Sequence, residues 1–343
     1  MSDIEKFAKN IAEFSADYRG SDLDLERPEH VLRWVSQFPD KHHEGMLQEL
    51  SHVLEKTYIS LEKTAFFLKT LLKKGKMVKG APEEFWQSVH FLDVQQNGAS
   101  QSEMLALVDS ILADNWGIER NAGAEDATTF VYLDDGIFSG GHVSRDLSEW
   151  IRTDAPADAE VHVIVIAFHE SSYYFRNRIR DTIGQSGKDI RIRWWSLLTL
   201  EDRKININDS DVLRPTELPD IHDVHQYAES LGFRPALRKP GGLGKLGVFS
   251  SEAGRSLLEQ QLLIAGVHIR NECPDLNVYQ RPLGNSILAT LGFGSTVVTF
   301  RNCPNNAPLA FWAGDPWYPL FPRLTNAQTS YLQMKRMLEE IEF

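Results

Sequence analysis

The sequence predicts an α/β protein with a mostly parallel sheet, a helical N-terminal region and a C-terminal extension. The main observation is that short apolar runs, rich in β-branched and aromatic residues, alternate with helix-patterned stretches, as in sheets covered by helices on both faces. A second observation is that residues 1–80 contain only helical patterns. The predicted strands lie at residues 89–94, 130–133, 161–168 and 190–198.

These patterns divide the chain into three predicted regions. Residues 1–80 form the helical region, residues 81–240 form the α/β core, and residues 241–343 form an extension that completes or covers the core. With 343 residues, the chain is long enough for one large domain or for two.

Composition and charge narrow the function classes. A net charge of −12 disfavours nucleic acid as a partner except at a local basic patch. The N-terminus lacks the apolar core of a signal peptide and no apolar stretch is long enough for a membrane span, so we expect a cytoplasmic protein without membrane contact. Cys273 and Cys303 are too few for a disulfide framework and are predicted to be free thiols.

The helical region contains three apolar stripes at helical spacing. The first follows Pro28, a residue that favours a helix start, and the third ends in a run of lysines. That run suits contact with a polyanion, but it equally suits a solvated helix end, which cations stabilise. Its members are Lys69, Lys73, Lys74, Lys76 and Lys79.

The first predicted strand, at residues 89–94, leads into a polar loop at residues 95–102 and a helix at residues 104–112. Gly98 and Ser100 lie in this loop. An ordinary strand-to-helix connection, with a serine cap near the helix start, explains these residues.

The most informative stretch is residues 130–143, where an apolar run ends in two acids and a small-residue loop. The run predicts a strand buried on both faces, and residues 145–151 have helical spacing. Between them, Gly136, Gly140 and Gly141 permit backbone conformations that turn several N–H groups toward one point. The stretch therefore predicts a strand, a loop and a helix, in that order.

A glycine loop at a helix N-terminus suits a phosphate group, because unpaired amides and the helix dipole both favour an anion. Ser139 adds a hydroxyl donor to this loop. Asp134 and Asp135 have the wrong sign for phosphate, but they suit the diol of a ribose, or a hydrated Mg²⁺ that bridges a diol and a pyrophosphate. The alternative is an ordinary strand-to-helix turn with acids at the strand end.

The next predicted strand, at residues 161–168, ends in His169 and Glu170. Ligands of open α/β sheets bind at the carboxyl ends of strands, so these side chains are candidates for an acid, a base or a group beside Mg²⁺. A polar pair that simply ends a strand fits as well. The arginines that follow, beginning with Arg176, suit either pyrophosphate or solvent.

The last part of the chain carries weaker patterns. Residues 237–250 form a glycine-rich basic segment, which is predicted to be a linker or lid. Residues 256–269 predict a helix, residues 291–300 a strand broken by glycine, and residues 327–341 a closing amphipathic helix.

Residues 131–142 resemble the phosphoribosyl-pyrophosphate (PRPP) signature of type I phosphoribosyltransferases, with an apolar strand, an acid pair, a hydroxyl residue and glycines in the same order. The resemblance implies that Asp134 and Asp135 hold the ribose hydroxyls, with Mg²⁺ bound together with the substrate. It also implies that an earlier loop, here with Gly98 and Ser100, binds the pyrophosphate. The implied 5′-phosphate loop contains Gly136, Ser139, Gly140, Gly141 and His142.

Three positions depart from that signature. Ser139 stands where threonine is usual, which keeps the hydroxyl. His142 stands where a second threonine is common, and Phe138 stands where purine-salvage members carry an acidic general base. The phosphate site therefore matches, whereas the usual purine base catalyst is absent.

The C-terminal region resembles the extension of a bacterial phosphoribosyltransferase-like family found in conflict and antiphage operons, in some cases beside retron reverse transcriptases. Leu-Gly-Phe-Gly at 291–294, Asn-Cys-Pro-Asn-Asn at 302–306 and Phe-Trp at 311–312 carry this resemblance. The residues similar to the start of that family are Trp34, Gln37 and Phe38.

Together, the resemblances imply a Rossmann-like, type I phosphoribosyltransferase core and a glycosyltransferase of antiviral defence that acts on PRPP or a related ribose phosphate. The implied partners are a reverse transcriptase, a nucleic acid or a second copy of the chain. One alternative is a catalytically idle module that senses PRPP or a nucleotide; the other is an interaction protein with a vestigial pocket. The catalytic candidates are Asp134, Asp135, His169 and Glu170.

Overall fold

The computed structural model describes residues 2–20, 27–95, 100–138, 140–245 and 247–323. The chain forms two compact units. One, the α/β unit, consists of Ile59–Val212 together with Gly242–Val248. The other, the helical unit, contains the remaining described segments.

The helices of the described residues alternate with strands only in the middle of the chain. The helices are α1 (Asp3–Phe14), α2 (Pro28–Val35), α3 (His43–Thr57), α4 (Leu61–Leu71), α5 (Pro82–Gln87), α6 (Ser100–Trp116), α7 (Gly141–Thr153), α8 (Tyr173–Ser186), α9 (His222–Ser230), α10 (Glu252–Glu272) and α11 (Leu309–Trp312). The strands are β1 (Tyr58–Ile59), β2 (Val89–Phe91), β3 (Thr129–Ile137), β4 (Asp158–His169), β5 (Asp189–Leu200), β6 (Gln280–Arg281), β7 (Gly284–Asn285) and β8 (Val298–Thr299). Short 3₁₀ turns lie at Asp40–His42, Glu170–Ser172 and Lys204–Asp209.

A four-stranded sheet organises the α/β unit. Its strand order is β2-β3-β4-β5 and every neighbouring pair is parallel. Each parallel pair is joined by a helix, because parallel strands require a crossover connection. The predicted fold class is confirmed: the protein is α/β, with a Rossmann-like parallel sheet.

The core of this unit explains why β3 and β4 read as continuous apolar runs. Alternate residues of β4, among them Val161 and Val163, pack with Leu147 of α7 and Ile179 of α8 in one buried cluster. Burying each such side chain contributes roughly 1.5–3 kcal/mol. The sheet is therefore held rigidly at the point where β3 and β4 end.

Two predicted strand boundaries were wrong. β3 does not stop before the acids but continues to Ile137, because its backbone keeps pairing with β4. β2 stops at Phe91 rather than at residue 94, because the backbone N–H groups of Val94 and Gln95 donate to Gln101 Oε1, at 2.8 Å each, instead of to a strand.

The glycine-rich basic segment is not a free linker in the structure. Residues Gly242–Val248 belong to the α/β unit. A Cβ at Gly242 would lie 1.9 Å from the Asn208 carbonyl oxygen, so glycine permits this close approach. Lys245 Nζ lies 3.3 Å from Glu201 Oε2. The segment is thus packed against the loop that follows β5.

The helical unit brings together the two parts of the second sequence resemblance. Trp34 Nε1–H donates to the Ala310 carbonyl at 2.8 Å, and the Trp34 ring lies 6.2 Å from that of Phe311. The Gln37 side-chain amide donates to the Tyr318 carbonyl and accepts from the Tyr318 N–H, both at 2.8 Å. Trp34 of α2 and Gln37, just after α2, therefore bind the aromatic segment near residues 310–318.

The predicted glycine-broken strand at residues 291–300 was wrong for most of its length, since only Val298–Thr299 forms strand. Gly292 and Gly294 have φ values of 151° and 78°. Arg214 Nη1 donates to the carbonyls of Gly292 and Phe293, in addition to irregular backbone hydrogen bonds with Leu283 and Leu213, so this segment is bonded without forming a regular strand. The helix predicted at residues 256–269 is confirmed as α10, whereas the helix predicted at residues 327–341 lies outside the described residues.

None of the described helices has the length and the apolar composition that a membrane-spanning helix requires.

Candidate functional site

The acid pair lies at the carboxyl end of β3. The preceding residues from Phe130 to Leu133 are buried, as expected for a central strand. Asp134 pairs in register with Val165 of β4, and its side chain is only 5% exposed, whereas Asp135 is half-buried. Two carboxylates of different burial therefore meet at the edge of the sheet where ligands of this fold class bind.

Asp134 is held by a small hydrogen-bond network. The Asp135 N–H donates to Asp134 Oδ1 at 2.8 Å, and the side chains of Ser100 and Asp135 also hydrogen-bond with the Asp134 carboxyl group. Ser100 exchanges further hydrogen bonds with the Gln95 side chain, at 3.0 and 3.1 Å. The structure thus places Ser100, from the predicted pyrophosphate loop, directly on the acid pair.

Burial, and secondly the adjacent charge of Asp135, raise the pKa of Asp134 to about 8. Burial acts because it removes water from the charged form, and a like charge nearby opposes a second ionisation. Hydrogen bonds from Ser100 and from the Asp135 backbone oppose this rise, because they favour the carboxylate. A strongly shifted pKa in a carboxylate at this edge is typical of a functional site, although structural acid pairs show it too.

A tight turn separates the acid pair from α7. Gly140 caps α7 with φ at 82°, a left-handed conformation that glycine adopts readily. A Cβ at Gly140 would lie 3.1 Å from the Cβ atoms of both Ser172 and Phe175, so this turn sits directly against the start of α8. Of the three loop glycines, only Gly140 has a positive φ, and Gly136 lies within β3. The loop is therefore shorter than the sequence predicts.

The first turn of α7 supplies the remaining part of the predicted phosphate site. It begins at Gly141, and His142 follows in an exposed position. Backbone N–H groups of a first helical turn have no partner within the helix, so they and the helix dipole favour an anion here. Gly98 and Ser139, which the sequence assigns to the pyrophosphate and the 5′-phosphate, lie outside the described residues.

His169 ends β4 in a fully buried position. Its Nδ1 lies 3.8 Å from Asp202 Oδ2, and its ring stacks on Phe138 with the ring centroids 5.0 Å apart. Phe138 is the residue that stands at the usual place of the purine base catalyst. The structure therefore brings His169 to the site, but beneath an aromatic ring rather than facing open space.

Glu170 belongs to the turn after β4 and forms an ion pair with Arg176. The Arg176 Nη2 atom lies 3.2 Å from Glu170 Oε2, and its guanidinium lies 4.8 Å from the centre of the Phe168 ring. Glu170 and Arg176 thus neutralise one another beside the sheet.

Sequence reasoning missed two residues of this region, Asp202 and Gln101. Asp202 is buried just after β5 and accepts hydrogen bonds from the Ser171 N–H and hydroxyl, which fixes the turn after β4. Gln101 is buried and joins the segment after β2 to β3, because it also donates to the Leu133 carbonyl at 3.3 Å. The only sequence signal was their position: each is a polar residue three or four places from an end of a predicted helix or strand.

The acid pair fits Mg²⁺ bound together with a substrate. Mg²⁺ prefers oxygen ligands and usually combines one or two carboxylates with water and substrate phosphates. Among the described residues, no group of three or more His, Cys, Asp or Glu side chains could hold a metal ion without such help. Asp134 and Asp135 are the carboxylates that would face the ion.

A comparison with models of protein families adds the decisive observation. The model described as PRTase-CE matches residues 31–323, which is most of the chain. The chain belongs to the PRTase-CE family. This membership indicates a phosphoribosyltransferase-type, transferase-like protein. Searches of curated proteins and of solved structures found no match.

The PRTase-CE match covers the residues of both sequence resemblances. It includes the acid pair with its glycine turn, and it includes Trp34 together with the C-terminal residues that α2 contacts. The family therefore comprises the helical unit as well as the sheet.

Proposed function

We propose that this PRTase-CE protein binds PRPP or a related ribose phosphate together with Mg²⁺, and that it transfers the ribosyl phosphate to an acceptor or to water. The observation that carries this proposal is the contact of Ser100 with the acid pair Asp134 and Asp135, one tight turn before the N-terminus of α7. In the proposed complex, Ser100 lies beside the pyrophosphate, the acid pair holds the ribose diol, and the N-terminus of α7 holds the 5′-phosphate.

The chemistry is a displacement at ribose C1. The bond from C1 to the pyrophosphate oxygen breaks and its electron pair leaves with pyrophosphate, while a lone pair of the acceptor forms the new bond and the acceptor proton passes to solvent. Asp134 and Asp135 hold the ribose diol and stabilise the positive charge that develops on the sugar. The first turn of α7 holds the 5′-phosphate. Mg²⁺ bound with the substrate would neutralise the leaving pyrophosphate.

A thermal-shift titration tests binding. PRPP with Mg²⁺ should raise the melting temperature of the wild type, by roughly 2.7 kcal/mol of added stability at about a hundred times the dissociation constant. The variant Asp134→Asn/Asp135→Asn should fold and show no shift. Asp158→Asn is the matched control, because Asp158 is an exposed acid at the opposite end of β4, and it should respond like the wild type. An equal shift in the acid-pair variant would refute the proposed site.

One observation favours a second candidate, a catalytically idle core that senses the same ligand. Phe138 occupies the place of the usual base catalyst and covers His169 with its ring. The two candidates differ in turnover: the transferase releases pyrophosphate from PRPP, whereas the sensor binds PRPP without consuming it. A coupled pyrophosphate assay on the wild type, with the acid-pair variant as blank, separates them.

We further propose that the protein is an effector of a bacterial antiviral defence system, with a reverse transcriptase among its candidate partners. The match of the family to residues 31–323, together with the C-terminal motifs, supports this assignment. Bacteria that carry the operon should resist phage, and the acid-pair variant in the same operon should restore plaque formation. Full protection against phage by the acid-pair variant would show that defence does not require the proposed chemistry.

A further inference from the structure

The α/β unit has a second surface that the proposed reaction does not use. Ile190, Ile192 and Trp194 of β5 are part of the core or pack against it, so the residues between them face the other side of the sheet. The lysines after α4 lie beside that outer face of β5. We call this the Lys–Trp surface, and it consists of Lys73, Lys74, Lys76, Lys79, Trp116, Arg191, Arg193 and Trp195.

Lysines and tryptophans of the surface meet although they are distant in sequence. Lys74 Nζ lies 5.8 Å from the centre of the Trp195 ring, and Lys73 Nζ lies 5.9 Å from that of Trp116. These are cation–π distances. Lysines at a merely solvated helix end need no aromatic partner from another element. The contacts therefore favour a binding surface over a solvated helix end, which was the other interpretation of the sequence.

The ring of Trp195 is fixed in place. Its Nε1–H donates to His162 Nδ1 at 3.0 Å, and the two rings are nearly parallel, at 11°. Burial lowers the pKa of His162 to about 4, so at neutral pH the ring is neutral, and the hydrogen bond from Trp195 fits the tautomer whose proton is on Nε2. Because Trp195 is held, a ligand that stacks beside it loses little freedom in ordering the ring.

The surface carries an excess of positive charge on an acidic protein. Glu160 pairs with both Lys79 and Arg193, and Asp158 pairs with Arg191 at 2.8 Å. The surface has six basic side chains and these two carboxylates pair with them, which leaves an excess of four positive charges on a chain of net charge −12. Lys73, Lys74 and Lys76 are all exposed.

We propose that the Lys–Trp surface binds a single-stranded nucleic acid. Exposed basic residues bind phosphates, and aromatic rings interleaved with them offer stacking positions to unpaired bases, whereas a duplex hides its base faces. The exposed face of an edge strand suits an extended chain. This inference does not depend on the proposed phosphoribosyl site, because none of its residues touches the acid pair or the α7 turn.

Fluorescence anisotropy with labelled oligo-dT and oligo-U of about 20 nucleotides, over a range of KCl concentrations, tests the proposal. Each phosphate contact contributes about 0.7 to the slope of log affinity against log salt for single strands. The variant Lys73→Glu/Lys74→Glu should therefore lower that slope by about 1.4 and weaken binding at about 50 mM salt at least tenfold.

The matched control is Lys6→Glu/Lys9→Glu on α1, which makes the same change in net charge at two exposed lysines of the helical unit. It should bind like the wild type. Equal weakening by both variants, no binding by the wild type at low salt, or equal binding of a duplex of the same length would each overturn the proposal. Tighter binding of either the DNA or the RNA strand supports it and identifies the preferred sugar.

The two proposals fail separately. The variant Lys73→Glu/Lys74→Glu should remain folded, with a small loss in melting temperature from the two lost cation–π contacts, and should keep its full thermal shift with PRPP and Mg²⁺, because both lysines are exposed. Loss of oligonucleotide binding with a retained PRPP shift is the expected pattern. Loss of both in a folded variant would contradict the independence of the two sites.

Discussion

The carboxyl ends of β3 and β4 are neighbours in the sheet, and both carry polar residues, but they are built differently. At β3, Asp134 and Asp135 lie next to one another, and burial together with the adjacent charge of Asp135 raises the pKa of Asp134. At β4, His169 lies against Asp202, and Glu170 pairs with Arg176. One end brings like charges together, whereas the other pairs unlike partners.

This difference in charge pairing predicts different roles for the two strand ends: ligand binding at β3 and stabilisation of a turn at β4. Like charges at a strand end cost stability unless a ligand or a proton compensates them, so such a pair is a candidate for a ligand-binding site. Paired groups stabilise the turn in which they lie. We therefore expect the end of β3 to respond to ligand and pH, and the end of β4 to respond to mutations that break its pairs.

The largest expected effect is at β4. Asp202→Ala would leave the Ser171 N–H and hydroxyl without their acceptor and remove the carboxylate beside His169. We expect a loss of about 3 kcal/mol in the free energy of unfolding, measured by urea denaturation. Asp158→Ala, at an exposed pair with Arg191, is the control and should cost less than about 0.5 kcal/mol. Similar losses in the two variants would show that the contacts of Asp202 contribute no more to the free energy of unfolding than an exposed ion pair does.

The next effect is a pH dependence at β3. A carboxyl group whose pKa is raised in the folded state costs stability as pH rises from its unfolded pKa, 3.8, through its folded pKa. Asp134→Asn should therefore be clearly more stabilising near pH 8.5, where the wild-type carboxyl is forced to ionise, than near pH 4, where it stays protonated. Thermal melts across this pH range measure the difference. A constant difference at all pH values would show that Asp134 ionises normally.

A smaller effect is expected at the turn between the two ends. Gly140→Ala places a side chain at φ of 82° and against the Cβ atoms of Ser172 and Phe175, so it should cost about 1–2 kcal/mol. Gly184→Ala in α8 has open space around it and should instead stabilise by about 0.5–1 kcal/mol. A lower melting temperature for Gly140→Ala and a higher one for Gly184→Ala would confirm that the fold needs the backbone conformation of Gly140. An unchanged melting temperature for Gly140→Ala would show that it does not.

The smallest effect is at Glu170. Glu170→Gln breaks its ion pair with Arg176, in which both side chains are partly exposed. Such pairs contribute about 0–1 kcal/mol, so the variant should unfold within about 0.5 kcal/mol of the wild type in low salt, and the difference should shrink in high salt. If Glu170 acts in catalysis, PRPP turnover will fall far more than stability. Unchanged turnover would assign it to the turn alone.

Much of the α/β unit was predictable from local patterns. The apolar runs of β3, β4 and β5 and the helices α6 and α7 follow from apolar spacing, because a residue buried on a strand or helix face leaves a periodic trace, whereas no helix was predicted at α8. Boundaries were less accurate. The sequence stops β3 at Leu133, since two acids look like a loop, but backbone pairing with β4 carries the strand on to Ile137.

For the candidate site, the sequence predicted the acid pair and the glycine turn from one ordered motif, and Ser100 from an earlier loop; the roles of these residues stay predictions. It did not identify Asp202, which accepts from Ser171, a residue 31 positions earlier. Nor did it indicate that Phe138 covers His169. Side chains that meet from different strands leave no spacing in the chain, so no pattern could predict them.

The sequence by itself determined which residues are candidates for the proposed chemistry: two adjacent acids, a glycine turn and a helix start are neighbours along the chain, and their local geometry follows from residue type. The tertiary structure alone decided their environment. Asp134 became a buried acid with a raised pKa because β4 and α6 enclose it, and the lysines after α4 became part of a surface because the fold brings Trp195 of β5 beside them. Burial and proximity between distant segments arise only when the chain folds.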